Sequence, residues 1–139
     1  MPLPSYPPPD LEVARPFWDG IEQGELRLPR CSACGEFEWY PNEAGPRCAG
    51  AHYEWVPVEG TGTIYSWTRV ERRFLPEGGE PPFVVGLVEL DGTGGVRMIA
   101  NLEPDDRDPR VGERVRVRFE QVDSGSRPVF AVADDGAPA

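Results

Sequence analysis

All of the cysteine and histidine in this chain lies within one stretch of 22 residues. The four residues are Cys31, Cys34, Cys48 and His52, in the order CSAC, a 13-residue spacer and CAGAH. Two close pairs of donors joined by a hairpin-sized spacer can bring four ligands to the corners of a tetrahedron, the geometry that zinc prefers in closed structural sites. Four protein ligands leave no position for water, so the pattern predicts a structural zinc site and not a reaction centre.

Two alternatives for the cluster remain open from the sequence. The cysteines can be reduced thiols without a metal, with His52 on a loop, and Glu54 competes with His52 for the fourth ligand position. A disulfide is disfavoured, because three cysteines pair unevenly and nothing in the chain indicates export.

Proline and glycine limit the secondary structure. The chain of 139 residues contains 17 Pro and 16 Gly, which favours short strands joined by turns over long helices. The first nine residues hold five prolines and no apolar signal-peptide region, and no stretch approaches the ~18 apolar residues that a membrane span requires. We expect a soluble, cytoplasmic protein.

The charge balance argues against several functions. The formal net charge is -10, and all 14 positive charges are arginine, so the chain contains no lysine for a Schiff base or a P-loop. A strongly acidic surface repels a phosphate backbone, which makes nucleic-acid binding unlikely. With cysteine and histidine assigned to metal, carboxylates, Tyr and a few Ser remain, in no recognisable catalytic arrangement. A hydrolase or hydratase would have to use carboxylates such as Glu89 or Asp91, and we expect no autonomous enzyme.

The N-terminal residues 1–25 are predicted to form a Pro-rich leader and a short helix. Asp10 is the expected N-cap, and we expect a short first turn, a break, and a second helix from Pro16 to Gln23. Phe17 and Trp18 are large apolar residues on a helix too short to cover them. They need another surface, either the core or a second protein, and we predict that they dock a partner.

Residues 26–59 are predicted to form a small zinc ribbon. Strands are expected over Leu26 to Arg30, Phe37 to Tyr40 and Trp55 to Val58, with a turn over 41–47. Two or three such strands bury too little apolar surface to be stable alone, so a metal is expected to hold them together.

Residues 60–132 are predicted to form a five-stranded barrel of the OB type, followed by a disordered tail over 133–139. The expected strands are 61–70, 83–90, 96–102, 114–119 and 128–132. The segment RVRVRF alternates strictly, so the valines should face the core while Arg114, Arg116 and Arg118 form an outer face.

The longest connection in the barrel runs from Glu71 to Pro82 and is rich in glycine and proline. Arg72, Arg73 and Phe74 open this loop and offer two cations beside an aromatic ring. Such a loop can bind phosphates or an acidic partner, or it can simply be solvated.

The chain resembles a known family of small proteins associated with acyl-CoA metabolism. The resemblance runs from about residue 15 to residue 130, and its most specific elements are GTGTIYSWTRV and PPFVVGLVEL. It implies a mainly β fold with a short N-terminal helix, a rubredoxin-like zinc ribbon and an OB-fold. One departure is that the family's second knuckle is usually Cys-x2-Cys, whereas this chain has CAGAH, which leaves His52 as an inferred ligand.

The resemblance also implies a function. Members of the family are accessory subunits that associate with thiolase-like or enoyl-CoA hydratase-like enzymes, and some belong to complexes that cleave steroid side chains by a retro-aldol reaction. We therefore expect a non-catalytic subunit with a structural Zn²⁺ that docks on a thiolase-like partner and helps bind acyl-CoA, with Arg72, Arg73 and Phe74 near the CoA. The alternative is a single-stranded nucleic-acid binder that uses aromatics such as Tyr65 and Trp67.

Overall fold

The computed structural model describes residues 12–72, 81–104, 106–122 and 125–133. Within them, a 3-10 turn over Glu12–Ala14 leads into helix α1 (Arg15–Glu22). Seven strands follow: β1 Leu26–Cys31, β2 Tyr53–Val58, β3 Thr61–Val70, β4 Phe83–Leu90, β5 Arg97–Glu103, β6 Arg114–Val122 and β7 Gly125–Val132. The chain is mainly β, as the sequence predicts.

The N-terminal helix begins and ends at residues that the sequence identifies. Pro16 lies in its first turn, where its missing N–H costs nothing, and Gly24 lies just beyond its end with φ of +74°. The predicted short first turn and second helix are therefore confirmed, whereas the expected N-cap Asp10 lies outside the described residues. None of the helices in the described part is long and apolar enough to cross a membrane.

Strands β1 and β2 form a two-stranded antiparallel sheet, paired from Leu26 with Val58 to Cys31 with Tyr53. The third strand predicted for this ribbon, Phe37 to Tyr40, does not form, and in the described residues a single bridge joins Phe37 to Arg30. Pro29 explains the difference. Its carbonyl accepts a hydrogen bond from the N–H of Glu38 at 3.0 Å. Because proline has no N–H, it cannot donate the second hydrogen bond of this pair, and the strand pairing stops there.

Strands β3 to β7 close into a barrel in the order β3-β4-β5-β7-β6. All pairs are antiparallel except β5 with β7, which run parallel. The predicted five-stranded OB-type barrel is thus confirmed. The last two strands are longer than predicted, because β6 and β7 continue into a hairpin in which Val122 pairs with Gly125.

The helix and the first strand share one hydrophobic core with the barrel. Phe17 and Ile21 from α1 and Leu28 from β1 belong to the same buried cluster as Ile64 and Phe130 from the barrel. A further link joins the two parts, since the carboxylate of Glu22 accepts from the N–H of Ser126 in β7 at 2.7 Å. The ribbon is therefore attached to the barrel through α1 and β1.

Gly60 lies at the corner between β2 and β3. Its φ is +80°, and a Cβ at this position would lie 2.3 Å from a methyl carbon of Val117 in β6. Its carbonyl accepts from the N–H of Val117 at 2.7 Å. This corner can be occupied only by glycine, because any side chain would meet both the backbone restriction and the steric clash.

Candidate metal centre

Three thiols meet at the end of the ribbon. The sulfur atoms of Cys31, Cys34 and Cys48 all lie within 4.8 Å of one another, with Cys31 buried, Cys34 exposed and Cys48 half-buried. Tetrahedral zinc with bonds of about 2.3 Å places its sulfur ligands roughly 3.8 Å apart, a spacing that fits within this limit. The three cysteines therefore fit three corners of a zinc site.

Two similar turns position the sulfur atoms. In the first, the N–H of Gly35 donates to the carbonyl of Cys31 at 2.9 Å, and Gly35 adopts φ of +76°. In the second, the N–H of Ala51 donates to the carbonyl of Cys48 at 3.1 Å, next to Gly50 with φ of +78°. Each turn contains a glycine in the left-handed region, as a tight chain reversal beside a cluster requires.

His52 holds the two turns together through its backbone. Its carbonyl accepts from the N–H of Ser32 at 2.9 Å, and its own N–H donates to the Ser32 hydroxyl at 3.0 Å. The residue is exposed, and in the described residues its ring is not part of the group that the three sulfur atoms form. This arrangement gives no support to His52 as the fourth ligand, which stays a prediction, and the position of its backbone is set by bonds to Ser32.

Glu54 does not replace His52 in the cluster. It also lies outside the group of sulfur atoms, and its carboxylate lies 3.5 Å from the guanidinium of Arg30. In the described part of the chain, three thiols thus form the whole donor group.

The thiols influence one another strongly. The main-chain N–H of Cys34 stabilises the thiolate of Cys31 and lowers its pKa. The thiol of Cys48 hydrogen-bonds to the sulfur atoms of Cys31 and Cys34, which raises its pKa to about 11. Three thiolates this close repel one another unless a dication offsets their charge, so the donor set matches a bound zinc ion better than free thiolates.

A polar network fixes the loop between the two turns. The hydroxyl of Tyr53 in β2 donates to the carboxylate of Glu38 at 3.0 Å and accepts from the N–H of Asn42 at 2.9 Å. The other oxygen of Glu38 accepts from the N–H of Arg47 at 3.0 Å. Burial raises the pKa of Tyr53, which keeps this hydroxyl protonated as a donor.

The structure shows where Phe17, which we predicted to dock a partner, lies. This side chain is 3% exposed and lies in the core of the chain itself, with its ring centroid 4.8 Å from that of Trp39 and 5.0 Å from that of Trp18. Because the helix packs on the barrel, the core supplies the surface that Phe17 needs. Trp18 is half-buried beside it, and its contact with a partner stays a prediction.

The residues predicted to bind CoA are only partly described. Arg72 is exposed just beyond the end of β3, and Arg73 and Phe74 lie outside the described residues. Their role stays a prediction.

The arginine column of β6 forms an outer face whose charge is offset by carboxylates. Arg114 bonds to Asp91, and Arg118 bonds to Glu103 and Glu120. Pairing of this kind leaves little positive potential for a phosphate backbone, which argues against the nucleic-acid alternative.

Asp91 is not suited to general-base chemistry. The hydrogen bond from Arg114, and then that from the hydroxyl of Thr61 at 2.7 Å, lower the pKa of its carboxyl. A base with a lowered pKa is weak at neutral pH, so this carboxylate gives no support to an independent hydrolase.

A cleft that the sequence does not reveal lies between the ribbon loop and the barrel. It has a volume of about 500 Å³ and is lined by ribbon residues 37–40 and Arg47 on one side and by residues 93–97 of the barrel on the other. The Nε1 of Trp39 is buried and has no hydrogen-bond partner in the described residues. The only sequence signal was the Gly-rich turn DGTGG, which does not show that the ribbon lies opposite it.

Two family models match adjacent parts of this chain, which together span residues 18–120. The first, the rubredoxin-like zinc ribbon domain of ChsH2, matches residues 18–54, and the second, the C-terminal OB-fold domain of ChsH2, matches residues 55–120. The chain belongs to the ChsH2 family. Its three clustered cysteines are those of the zinc-ribbon domain, and its barrel is the OB-fold.

Two curated relatives are longer than this chain. A probable enoyl-CoA hydratase alpha subunit from Thermomonospora curvata is 34% identical over 97 residues, which cover 69% of the chain and 30% of the relative. The 3-oxo-4,17-pregnadiene-20-carboxyl-CoA hydratase alpha subunit of Mycobacterium tuberculosis is 32% identical over 143 residues, covering 95% of the chain and 44% of the relative. The chain thus spans less than half the length of either relative.

Two solved structures share the fold. One, described as an Ltp2-ChsH2(DUF35) aldolase, superposes with a TM-score of 0.73 and 29% identity over 87% of this chain and 94% of the other. A DUF35-family protein of unknown function from Sulfolobus solfataricus superposes with a TM-score of 0.60 and 16% identity over 88% of this chain and 86% of the other. The second likeness shows the fold alone.

Proposed function

We propose that this chain is a non-catalytic accessory subunit that docks on a thiolase-like enzyme and helps bind its acyl-CoA substrate in a carbon–carbon cleaving complex. The observation that carries the proposal is the similarity, over 87% of the chain, to a structure described as an Ltp2-ChsH2(DUF35) aldolase. That description joins a ChsH2 component to a second component, and this chain is similar to the ChsH2 component. A steroid side-chain aldolase is the specific complex that we favour.

The chemistry of the described residues supports an accessory role. The cysteines form a cluster, the backbone of His52 holds the two turns together, and Asp91 is bound to Arg114. Cys31, Cys34 and Cys48 would hold zinc, which when bound supplies a cross-link between the two turns of the ribbon. The catalytic groups are then those of the partner, and the three free thiols support our proposal of a cytoplasmic complex.

We assign the contact with CoA to the loop that opens with Arg72, Arg73 and Phe74. Arg72 is exposed at the start of this loop, and an arginine fork suits the phosphates of CoA because it is always charged and can bind two oxygens. The rest of the acyl-CoA would be held by the partner.

A hydratase assembly is the second candidate. Both curated relatives are named as hydratase alpha subunits, and one name specifies a pregnadiene carboxyl-CoA. Because the chain spans less than half of each relative, their hydratase activity can belong to a part that has no counterpart here. A partner that hydrates enoyl-CoA would favour this candidate over the aldolase.

The test compares three preparations: this chain alone, a thiolase-like subunit encoded in the same genome alone, and the two co-expressed. Each is assayed for cleavage of a β-hydroxyacyl-CoA and for hydration of an enoyl-CoA, and its mass in solution is measured. We expect a hetero-complex that is active in cleavage and a chain that is inactive alone. Turnover by the isolated chain, or the absence of a complex between the chain and the thiolase-like subunit, would contradict the proposal.

A further inference from the structure

One side of the barrel carries two rows of uncharged side chains on its outer surface. Strand pairing aligns Ser66 of β3 with Leu87 of β4 and Ile99 of β5, and it aligns Thr68 with Val85 and Asn101 in the same way. Because inward positions of β4 such as Val84 and Val88 alternate with these, the six residues face outward. We call this set the barrel face. It contains no charge, although 27% of the chain is charged.

The barrel face exposes apolar surface. Ile99, at the β5 end of the first row, is 58% exposed, and Tyr65, which lies at an irregularity of β3 next to Ser66, is 47% exposed. A shallow groove of about 220 Å³ runs along these rows. Among the described residues, the other large exposed apolar side chains are Tyr40, at 59%, and Val111, at 67%.

The barrel face continues into the cleft beside the ribbon. Arg97 lies two residues before Ile99 on the same side of β5, and its guanidinium lies 3.7 Å from the centre of the Tyr65 ring. Arg97 also lines the cleft, opposite Tyr40. The exposed apolar residues Ile99, Tyr65 and Tyr40 therefore belong to one surface, whereas Val111 lines neither the groove nor the cleft.

Charge identifies the occupant of this surface. A second copy of the chain would bring another net charge of -10, and such like charges oppose self-association. Nucleic acid needs several cations, and the surface offers Arg97 with Arg47, which is already paired with Glu36. The remaining candidate occupant is an apolar surface of another protein. Among the described residues, no ion pair within 4.0 Å involves Arg97, so its guanidinium can donate to a carboxylate of a partner.

A contact with a protein would extend beyond the barrel face. A standard interface buries about 800 Å² on each partner, which is more than two rows across three strands can supply. The contact must extend beyond the barrel face, and the adjoining cleft of about 500 Å³ provides that extension.

We propose that the barrel face and the adjoining cleft form the docking surface for the enzyme subunit. This inference rests on the proposed function, and it moves the contact from the N-terminal helix, where Phe17 is buried, to β3, β4 and β5. The complementary patch on the enzyme subunit is apolar, with a carboxylate at its edge opposite Arg97.

The test uses the co-expressed pair and two matched variants of this chain. Ile99→Glu places a charge where the barrel face is most exposed, and Val111→Glu makes the same change at an exposed apolar residue that lines neither the groove nor the cleft. Both side chains are exposed, so both variants should keep the thermal unfolding of the parent chain. We expect Ile99→Glu to weaken binding by about 100-fold or more, and Val111→Glu by less than about threefold.

A third variant tests the carboxylate opposite Arg97. Arg97→Ala should weaken binding about tenfold and reduce its dependence on salt, while Arg97→Lys should restore part of both. Equal binding by Arg97→Ala and the parent chain would overturn this part of the proposal.

The outcomes separate this inference from the proposed function. If the parent chain binds the enzyme subunit and Ile99→Glu binds equally well, the docking surface is wrong while the accessory role stands. If the parent chain does not bind at all, the accessory role itself fails. If the chain self-associates and Ile99→Glu turns it into a monomer, the occupant is a second copy and the proposal is overturned.

Discussion

The ribbon and the barrel are stabilised in different ways. The ribbon has two strands of six residues, and β2 contains no buried residue. The barrel closes on itself, and alternate residues of β4 fill its interior from Val84 to Leu90. A closed barrel satisfies its own backbone and buries its own core, whereas a two-stranded sheet needs a cross-link. The cysteine cluster lies where that cross-link is needed.

The ribbon and the barrel also differ in which of their features are used for stability and which are free for binding. The barrel does not need its outer surface for stability, so the barrel face can remain apolar and available to a partner. In the ribbon, by contrast, every cysteine belongs to one cluster. A metal site often indicates catalysis, but here it supports the part of the chain that cannot hold itself together.

The largest expected effect comes from removing one thiol of the ribbon. Cys31→Ser should abolish zinc binding, from about one zinc per chain to none, and lower the free energy of unfolding by about 4 kcal/mol or more. Metal analysis and thermal unfolding would measure both. Amide hydrogen exchange should rise in β1 and β2 and much less in β3 to β7.

His52→Ala is the matched control for the thiol. Its ring lies outside the group of sulfur atoms, and its backbone bonds to Ser32 do not depend on the side chain. The variant should keep about one zinc per chain. Loss of zinc equal to that of Cys31→Ser would show that the ring binds the metal after all.

The next effect separates the barrel from the metal. Phe130 is fully buried in β7, and Phe130→Ala should cost about 3–5 kcal/mol in denaturant unfolding because it leaves a cavity. Unlike Cys31→Ser, the folded variant should still bind zinc in full. A lower zinc content in the folded variant would show that the ribbon and the barrel are not stabilised independently.

A smaller effect tests the polar network of the ribbon loop. Tyr53→Phe removes the hydroxyl that bonds to Glu38 and Asn42 and should cost about 1 kcal/mol. Hydrogen exchange should increase over residues 38–47 and remain unchanged in the barrel. An increase spread over the whole chain would mean that this hydroxyl does not act locally.

The smallest effect concerns the acid stability of the barrel. Because the pKa of Asp91 is below its ordinary value of 3.8, its pair with Arg114 contributes stability that is complete above that pH and is lost as pH falls through the lower, folded value. The pair is partly exposed, so the contribution should be below about 1 kcal/mol. In Asp91→Asn, the free energy of unfolding should fall less between neutral and acid pH, because the pair with Arg114 is already absent. An unchanged pH profile of stability would contradict this role of the pair.

Periodicity and turn residues predicted the barrel well. The alternation of RVRVRF predicted the two faces of β6, because side chains of a half-buried strand alternate with a period of two. The donor spacing likewise predicted that the thiols of Cys31, Cys34 and Cys48 meet. These features are encoded locally, so the sequence alone reveals them.

Features that depend on distant contacts could not be predicted in the same way. The apolar side of α1 does not show whether the core or a partner covers Phe17, and the spacing of CAGAH does not fix the ring of His52. The third ribbon strand was predicted over Phe37 to Tyr40, but Pro29 on the neighbouring strand prevents it. The cleft arises because residues more than 45 positions apart, such as Arg47 and Arg97, meet across the ribbon and the barrel.

Native mass spectrometry of this chain co-expressed with the thiolase-like subunit tests the central claim most directly, because one spectrum shows both the partner and the metal. The account predicts a hetero-complex that carries about one zinc ion for each copy of this chain, all of it lost with Cys31→Ser. A chain that appears as a zinc-free monomer beside the unbound enzyme subunit would contradict both the structural metal site and the accessory role.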